Sequence, residues 1–213
     1  MCARFTLTTP PPLLARHFGL RETPELSPRY NVAPSQPVPV VCPGPRLVTL
    51  GWGLRPAWAR GGRRLINARA EGLDRRPAFR AAFRHRRCLV PADGFFEWSG
   101  EGAQRRPFLA RRPDGGPFAV AGLWEPGKAG EGPACVLVTT AARGVLAGIH
   151  HRMPVVIRPE DYAAWLDPAA PPERLSTLLA SPLDTGWEIR PAPRLVNDPS
   201  NDVPACIEPA DPA

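Results

Sequence analysis

An α+β domain is the fold this sequence predicts: a curled, mainly antiparallel sheet with a barrel-like core and short flanking helices. Three observations predict it. Short runs rich in Val, Leu and aromatic residues recur between Gly- and Pro-marked breaks, as strands joined by turns do. The helical patterns between them are short and do not alternate with strands in βαβ order. No internal repeat, glycine-rich nucleotide loop or long linker divides the 213 residues, a length one hydrophobic core can serve. A single domain over 1–213 is expected, with a short tail after about residue 209.

The elements follow in chain order. "PPLLARHFG" reads as a short helix entered at proline and stopped at Gly19, because proline tolerates the first helical turn and glycine the left-handed cap. "VPVVC" and "RLVTLGWGL" read as strands. "RPAFRAAFRHRR" reads as a helix, with Phe79 and Phe83 four apart on one face and several arginines turned to water. "CLVPADGFFEW" reads as strand, turn, strand, and "RPFLAR", "PFAVAGLW", "ACVLVTT" and "MPVVI" continue the strand pattern. "PEDYAAWL" and "PERLSTLLA" are short helices, each with a proline followed by acids in its first turn. "WEIRPAPRLV" is expected as a late strand.

Composition removes several classes. No stretch of 18 apolar residues exists, so no membrane span is expected, and no secretory signal is visible; a cytoplasmic protein is expected, nucleoid-associated when engaged on DNA. The five cysteines, at 2, 42, 88, 135 and 206, have neither CxxC nor other metal-ligand spacing, which argues against a metal site and against a disulfide framework. No metal and no cofactor are expected. Charge is uneven: residues 1–112 hold 20 of the 27 basic and 7 of the 20 acidic side chains. One positive face, suited to a polyanion, would follow from that, as would a merely solvated arginine-rich surface.

A few residues have chemistry to offer. Removal of Met1 would give Cys2 a free α-amine beside its thiol. An α-amine has a pKa of about 8, so part of it is unprotonated at neutral pH. It can form an imine with an aldehyde, which the neighbouring thiol then closes to a thiazolidine; alternatively the thiolate could be an acyl nucleophile with the amine as base. Position alone does not separate either from an inert core cysteine. In "GFFEW", Phe95 and Glu97 would share one strand face and Phe96 and Trp98 the other; a carboxylate among rings can shuttle protons, and a surface glutamate would fit the same pattern. In "GIHHRMP", two adjacent histidines, His150 and His151, are poor joint metal ligands when they point apart; either could be a structural histidine. In "INARAEG", an extended chain puts Asn67, Arg69 and Glu71 on one face, offering an amide for an amine or hydroxyl and a guanidinium for a phosphate. Arg4 would share a face with Cys2. Trp52 and Trp58 could stack on a base or fill the core.

Taken in order, "MCARF", "YNVAPSQPVPVV", "WGLRPAW", "INARAE", "CLVPADGFFEW", "FAVAGLWE", "IHHRMPVVI" and "NDVPACIEP" resemble the SOS-response-associated peptidase (SRAP) family, also described as abasic-site processing proteins. The resemblance implies loss of Met1, capture by Cys2 of the aldehyde of an abasic site in single-stranded DNA, and a thiazolidine crosslink that shields the lesion. It implies catalytic roles for Cys2, Asn67, Glu97 and His150 and phosphate contacts by Arg4 and Arg69; on such DNA, Trp52 is expected to stack on a flanking base. The expected partner is single-stranded DNA containing an abasic site, met by a monomer. The peptidase label fits an arrangement that could release Met1 autocatalytically. An N-terminal-nucleophile amidohydrolase and a non-covalent single-strand-binding module are the competing readings. Two departures stand out: Ala3 where the family has glycine, and His151 where it commonly has an acidic or amide residue.

Overall fold

A computed structural model describes residues 2–56, 64–127 and 130–210. In chain order the strands and helices are β1 (Phe5–Leu7), α1 (Pro11–Phe18), β2 (Arg29–Val32), β3 (Pro37–Cys42), β4 (Arg46–Trp52), β5 (Asn67–Arg69), α2 (Arg80–His85), β6 (Arg87–Ala92), β7 (Gly94–Ser99), β8 (Arg106–Arg111), β9 (Phe118–Glu125), β10 (Ala134–Ala141), β11 (Arg152–Pro154), β12 (Val156–Ile157), α3 (Tyr162–Leu166), α4 (Pro172–Ala180) and β13 (Glu188–Pro191). The α+β class holds.

Two sheets make the frame. One is five-stranded and antiparallel, in the order β13-β8-β7-β1-β2. The other runs β11-β10-β4-β3-β6-β9-β12, and β10 also bonds to β9. Its pairings are antiparallel except where β10 runs parallel to β4 and to β5, so it is a mixed sheet.

"CLVPADGFFEW" does form strand, turn, strand, but its halves belong to different sheets: β6 lies in the mixed sheet and β7 in the antiparallel one. Asp93 sits at the change of sheet, nearly buried. Its carboxylate accepts hydrogen bonds from the hydroxyls of Thr6 (2.6 Å), Thr8 (3.0 Å) and Thr9 (2.9 Å) and from the Thr9 amide (2.7 Å), which satisfies a buried charge and ties the end of β1 to the start of β7. At Gly94 a Cβ would lie 2.8 Å from Thr6 Oγ1, so β1 and β7 approach this closely only with glycine there.

The β7 side chains alternate as expected. Phe95 packs inward among Phe118 and Trp187, with ring centroids 6.4 and 5.3 Å away. Phe96 points outward into a second cluster with Leu109, Ala192, Val196 and Cys206. That outer cluster exists because the chain after β13 folds back over the sheet. Asn31, fully buried on β2, donates its side-chain amide to the carbonyls of Asp198 (3.1 Å) and Asn201 (2.7 Å), while Asp202 accepts from the backbone amides of Tyr30 and Asn31.

Several element expectations need correction. The late strand stops at Pro191, since prolines at 191 and 193 remove ladder donors, and a 3-10 turn over Arg194–Asn197 follows. "MPVVI" breaks into β11 and β12 as the chain changes partner from β10 to β9. The helix expected over 76–87 is confined to Arg80–His85. Phe79 and Phe83 are both buried, as their spacing required. Arg87, however, turns inward and donates to the carbonyls of Phe83, Arg84, Trp165 and Asp167, so its guanidinium closes the C-terminal ends of α2 and α3. The five cysteines are buried and unpaired.

Candidate functional site

The site forms where the chain preceding β1 meets the open end of β7. Pairing extends back from Phe5 opposite Phe95, with the Phe96 amide donating to the Arg4 carbonyl at 2.9 Å. The segment before Phe5 then leaves regular strand geometry. Cys2 packs into the main core at 1 % exposure, while Arg4 reaches the other side of the sheet. There it donates to Asn31 Oδ1 (2.8 Å) and to the Val196 carbonyl, and lies 5.7 Å from the Trp98 ring centroid. Cys2 and Arg4 therefore do not share a face, because the chain at Cys2–Arg4 is not extended as a strand.

Asn67 holds Cys2. On β5, Ala68 turns into the core and is buried, which leaves Asn67 and the exposed Arg69 on the opposite face. Asn67 Nδ2 donates to the Cys2 carbonyl at 2.8 Å, and Asn67 Oδ1 is buried with no hydrogen-bond partner among the described residues. An amide that spends its donor on the Cys2 backbone and keeps an acceptor in reserve suits an amine or hydroxyl brought to Cys2.

Glu97 is 4 % exposed and shares a narrow cleft with Phe95, Leu146, Ile149, Arg152 and Ile189. Burial pushes its carboxyl up to about 7, against the opposing pull of the amino-terminal charge and of Arg105. It can thus change charge near neutrality. Burial also pushes the Cys2 thiol far above its ordinary value, and the Glu97 charge pushes it the same way. The resting thiol is protonated.

His150 is half-buried. Its Nδ1 accepts the Arg152 backbone N–H at 2.9 Å and lies 3.3 Å from the Arg152 carbonyl; the shorter contact favours the neutral tautomer with its proton on Nε2. Burial, followed by the amino-terminal charge, lowers its affinity for a second proton. The adjacent histidine rings do not point apart: they stack, with centroids 4.2 Å apart at 29°. Among the described residues, no group of three or more His, Cys, Asp or Glu side chains could hold a metal ion.

A family model described as SOS response associated peptidase (SRAP) matches residues 1–199. The chain belongs to the SRAP family. It is 36 % identical, over 98 % of its length and 99 % of the relative's, to the abasic site processing protein YoqW of Bacillus subtilis strain 168. It is 35 % identical to the abasic site processing protein YedK of Escherichia coli K12, over 74 % of this chain and 73 % of that one. Its fold is that of a Bacteroides thetaiotaomicron protein of known crystal structure, with a TM-score of 0.83 at 24 % identity, covering 98 % of this chain and all of that one. A phage-related Bordetella bronchiseptica protein is similar as well, with a TM-score of 0.76 at 27 % identity over 89 % and 93 % of the two chains.

In this SRAP chain Cys2, Asn67, Glu97 and His150 come from four separate parts of the sequence. Direct contact joins Asn67 to Cys2, and charge couples Glu97 to Cys2. Trp52 requires a correction. Its indole is wholly buried, packs 5.3 Å from the Phe5 ring and donates Nε1–H to the Ile66 carbonyl at 2.9 Å, so neither ring face is open to a base. Trp58 lies outside the described residues. Ala3 needs no glycine-like backbone: among the described residues Ser35 is the only non-glycine at positive φ.

Two arginines that the sequence reading passed over belong to the site. Arg152, in "HHRMP", lines the Glu97 cleft and is clamped by Glu71, with Nη1–Oε1 at 2.8 Å and Nη2–Oε2 at 2.9 Å. That clamp holds the Glu71 carboxyl at about 2. Arg105, exposed in the turn between β7 and β8, lies 5.7 Å from the Trp98 centroid and acts electrostatically on both Glu97 and His150. The basic residues are visible in the sequence; which of them curl back to the site is not.

Proposed function

We propose that the chain, once Met1 is removed, captures the open-chain aldehyde of an abasic site in single-stranded DNA as a thiazolidine on Cys2. The observation that carries the reading is the placement of Cys2: enclosed, its carbonyl held by Asn67, beside a carboxyl that titrates at about 7. Membership of the SRAP family and the likeness to relatives named as abasic site processing proteins support it.

The raised thiol sets the order of events. A protonated thiol is a weak nucleophile, so the α-amine attacks first and forms a C–N bond to the sugar C1′. Loss of the former carbonyl oxygen as water leaves the imine. Glu97, as carboxylate, takes the amine's proton and returns one to the departing oxygen. The thiol sulfur then bonds to the imine carbon while its proton passes, through Glu97, to the nitrogen. The net change is aldehyde plus aminothiol giving thiazolidine plus one water. Neutral His150, with its proton on Nε2, serves as a hydrogen-bond donor to the sugar oxygen during ring opening. Asn67 orients the amine, and Arg69, exposed on the same strand, takes a phosphate. An acyl-transfer role for Cys2 would need a depressed thiol, and burial works against one.

The test is incubation with an abasic single-stranded oligonucleotide, followed by denaturing electrophoresis and intact mass. The mature protein is expected to give a stable adduct whose mass is the sum of its parts minus one water, while Cys2→Ala, left with the amine alone, loses the thiazolidine and gives at most an imine that hydrolyses unless reduced. Equal adducts of equal mass from both proteins would overturn the role of Cys2. Hydrolysis of an amide panel with no DNA adduct would favour the amidohydrolase reading.

A further inference from the structure

Two stretches of this chain, "YNVAPSQPVPVV" and "NDVPACIEP", take no part in the chemistry above. The fold brings them together. Asp202, from the second, accepts from the backbone amides of Tyr30 (2.5 Å) and Asn31 (2.9 Å), from the first, and pairs with Arg29. The fully buried Asn31 in turn donates its side-chain amide to the carbonyls of Asp198 and Asn201. Residues 194–207 are thereby strapped across the outer face of the antiparallel sheet, with Val196 and Cys206 buried against Phe96. A mere cover for Phe96 would need no more than this. The strap has further contacts, and they run to the amino-terminal segment.

Residues 2–4 precede β1 and lie outside regular strand. Chain ends fray unless they are tied down, and a nucleophile left to fray loses the advantage of a fixed geometry. Here the Cys2 carbonyl is held by Asn67 and the Arg4 carbonyl by the Phe96 amide (2.9 Å). The Arg4 side chain supplies the remaining tether, donating to Asn31 Oδ1 (2.8 Å) and to the Val196 carbonyl of the strap. A guanidinium that bonds two acceptors and lies 5.7 Å from the Trp98 centroid is fixed in direction as well as in place. The strap also grips β7, because Trp98 Nε1 donates to Asn197 Oδ1 at 2.8 Å. Side chains alternate along a strand, so Trp98 is held on the outer face while Glu97 reaches the inner one. We propose that the strap positions the amino-terminal nucleophile against Glu97 from the far side of the sheet, with Arg4, Asn31 and Asn197 as positioning residues that act through Cys2 and Glu97. The inference rests on the role given to Cys2 under the proposed function.

The test uses the full mature chain in single turnover on an abasic single-stranded oligonucleotide. Arg4→Met keeps an apolar stem and removes the donors, and Asn197→Ala removes an exposed acceptor without touching the core. The maximal crosslinking rate is expected to fall about 10-fold in Arg4→Met and about three-fold in Asn197→Ala, because small displacements of reacting groups are costly. The half-saturating DNA concentration and its salt dependence should not change. Amide hydrogen exchange on the DNA-free protein gives an independent reading. The Phe96 amide, bonded to the Arg4 carbonyl, is expected to exchange about 10-fold faster in Arg4→Met. The Ala121 amide, bonded to the Val155 carbonyl in the mixed sheet (2.8 Å), should keep its wild-type rate and report an intact fold. Weaker DNA binding by Arg4→Met at an unchanged maximal rate, with Phe96 exchange unchanged, would overturn the inference and make Arg4 a phosphate contact only. Equal acceleration at Phe96 and Ala121 would overturn it too, as the mark of general destabilisation. If Phe96 alone is loosened but the wild type makes no crosslink, the proposed function fails and the strap's hold on the amino-terminal segment stands.

Discussion

Glu97 and Glu71 are the same residue type at two edges of one cleft region, and the protein sets them at opposite ends of the carboxylate range. Glu97 is nearly enclosed by apolar side chains and pushed up to about 7. The Glu71 side chain is about half exposed, yet the Arg152 fork holds it at about 2. Burial that outweighs the pull of nearby positive charge makes a carboxyl that changes charge near neutrality; a bidentate guanidinium makes a permanent anion. One is arranged to move protons, the other to keep an arginine in place. That difference is what the following experiments break or sharpen.

The largest effect is expected from Glu97→Gln. Loss of a positioned proton carrier should slow crosslinking by about 100-fold. The wild-type rate should rise with pH through about 7 as Glu97 ionises, and this limb should be missing in the variant; a retained limb would take Glu97 out of the mechanism. Stability should move the other way. A folded value of about 7 above an ordinary 4.5 means that the native state holds a proton the unfolded chain releases. The associated stability is therefore full below about 4.5 and lost as pH rises through about 7. Neutral glutamine escapes that loss, so Glu97→Gln should be more stable than wild type at pH 8 by about 1–2 kcal/mol in denaturant midpoints, and similar to it at pH 4.

Glu71→Gln should show the opposite sign. It leaves the nearly buried Arg152 cation without its partner, at a cost of about 2 kcal/mol at pH 7, discounted because the carboxylate is half in water. A depressed folded value means that this stability is present above about 4.5 and lost as pH falls through about 2, so the two proteins should converge in acid. Thermal melts across pH would show it, and parallel curves would refute the assignment. The smallest effect belongs to Arg69→Ala: about three-fold weaker single-strand binding, with the salt dependence reduced by about one counter-ion and the covalent step unchanged. An unaltered salt slope would remove Arg69 from the phosphate contacts.

How much of this was legible beforehand varies with the range of the interaction. Helix α4 begins and ends where "PERLSTLLA" does, and Gly19 caps α1 at a φ of +61°, because proline and glycine act within a turn of themselves. The inward and outward alternation of Phe95, Phe96, Glu97 and Trp98 follows from strand period alone. Trp52 and Arg87 were misjudged for one shared reason: an indole or a guanidinium reads as a surface contact until long-range packing supplies the carbonyls of Ile66, Trp165 and Asp167 that allow it to be buried.

From its own order of residues the chain determined its class, its local elements and, by motif, the set of side chains able to do the chemistry. Periodicity and turn residues are local properties. Only the tertiary structure decided that Cys2 is enclosed under Asn67, that Glu97 is driven up while Glu71 is driven down, and that two adjacent histidine rings stack. Protonation and access depend on which distant groups exclude water or supply a counter-charge, and those neighbours exist only once the two sheets have packed.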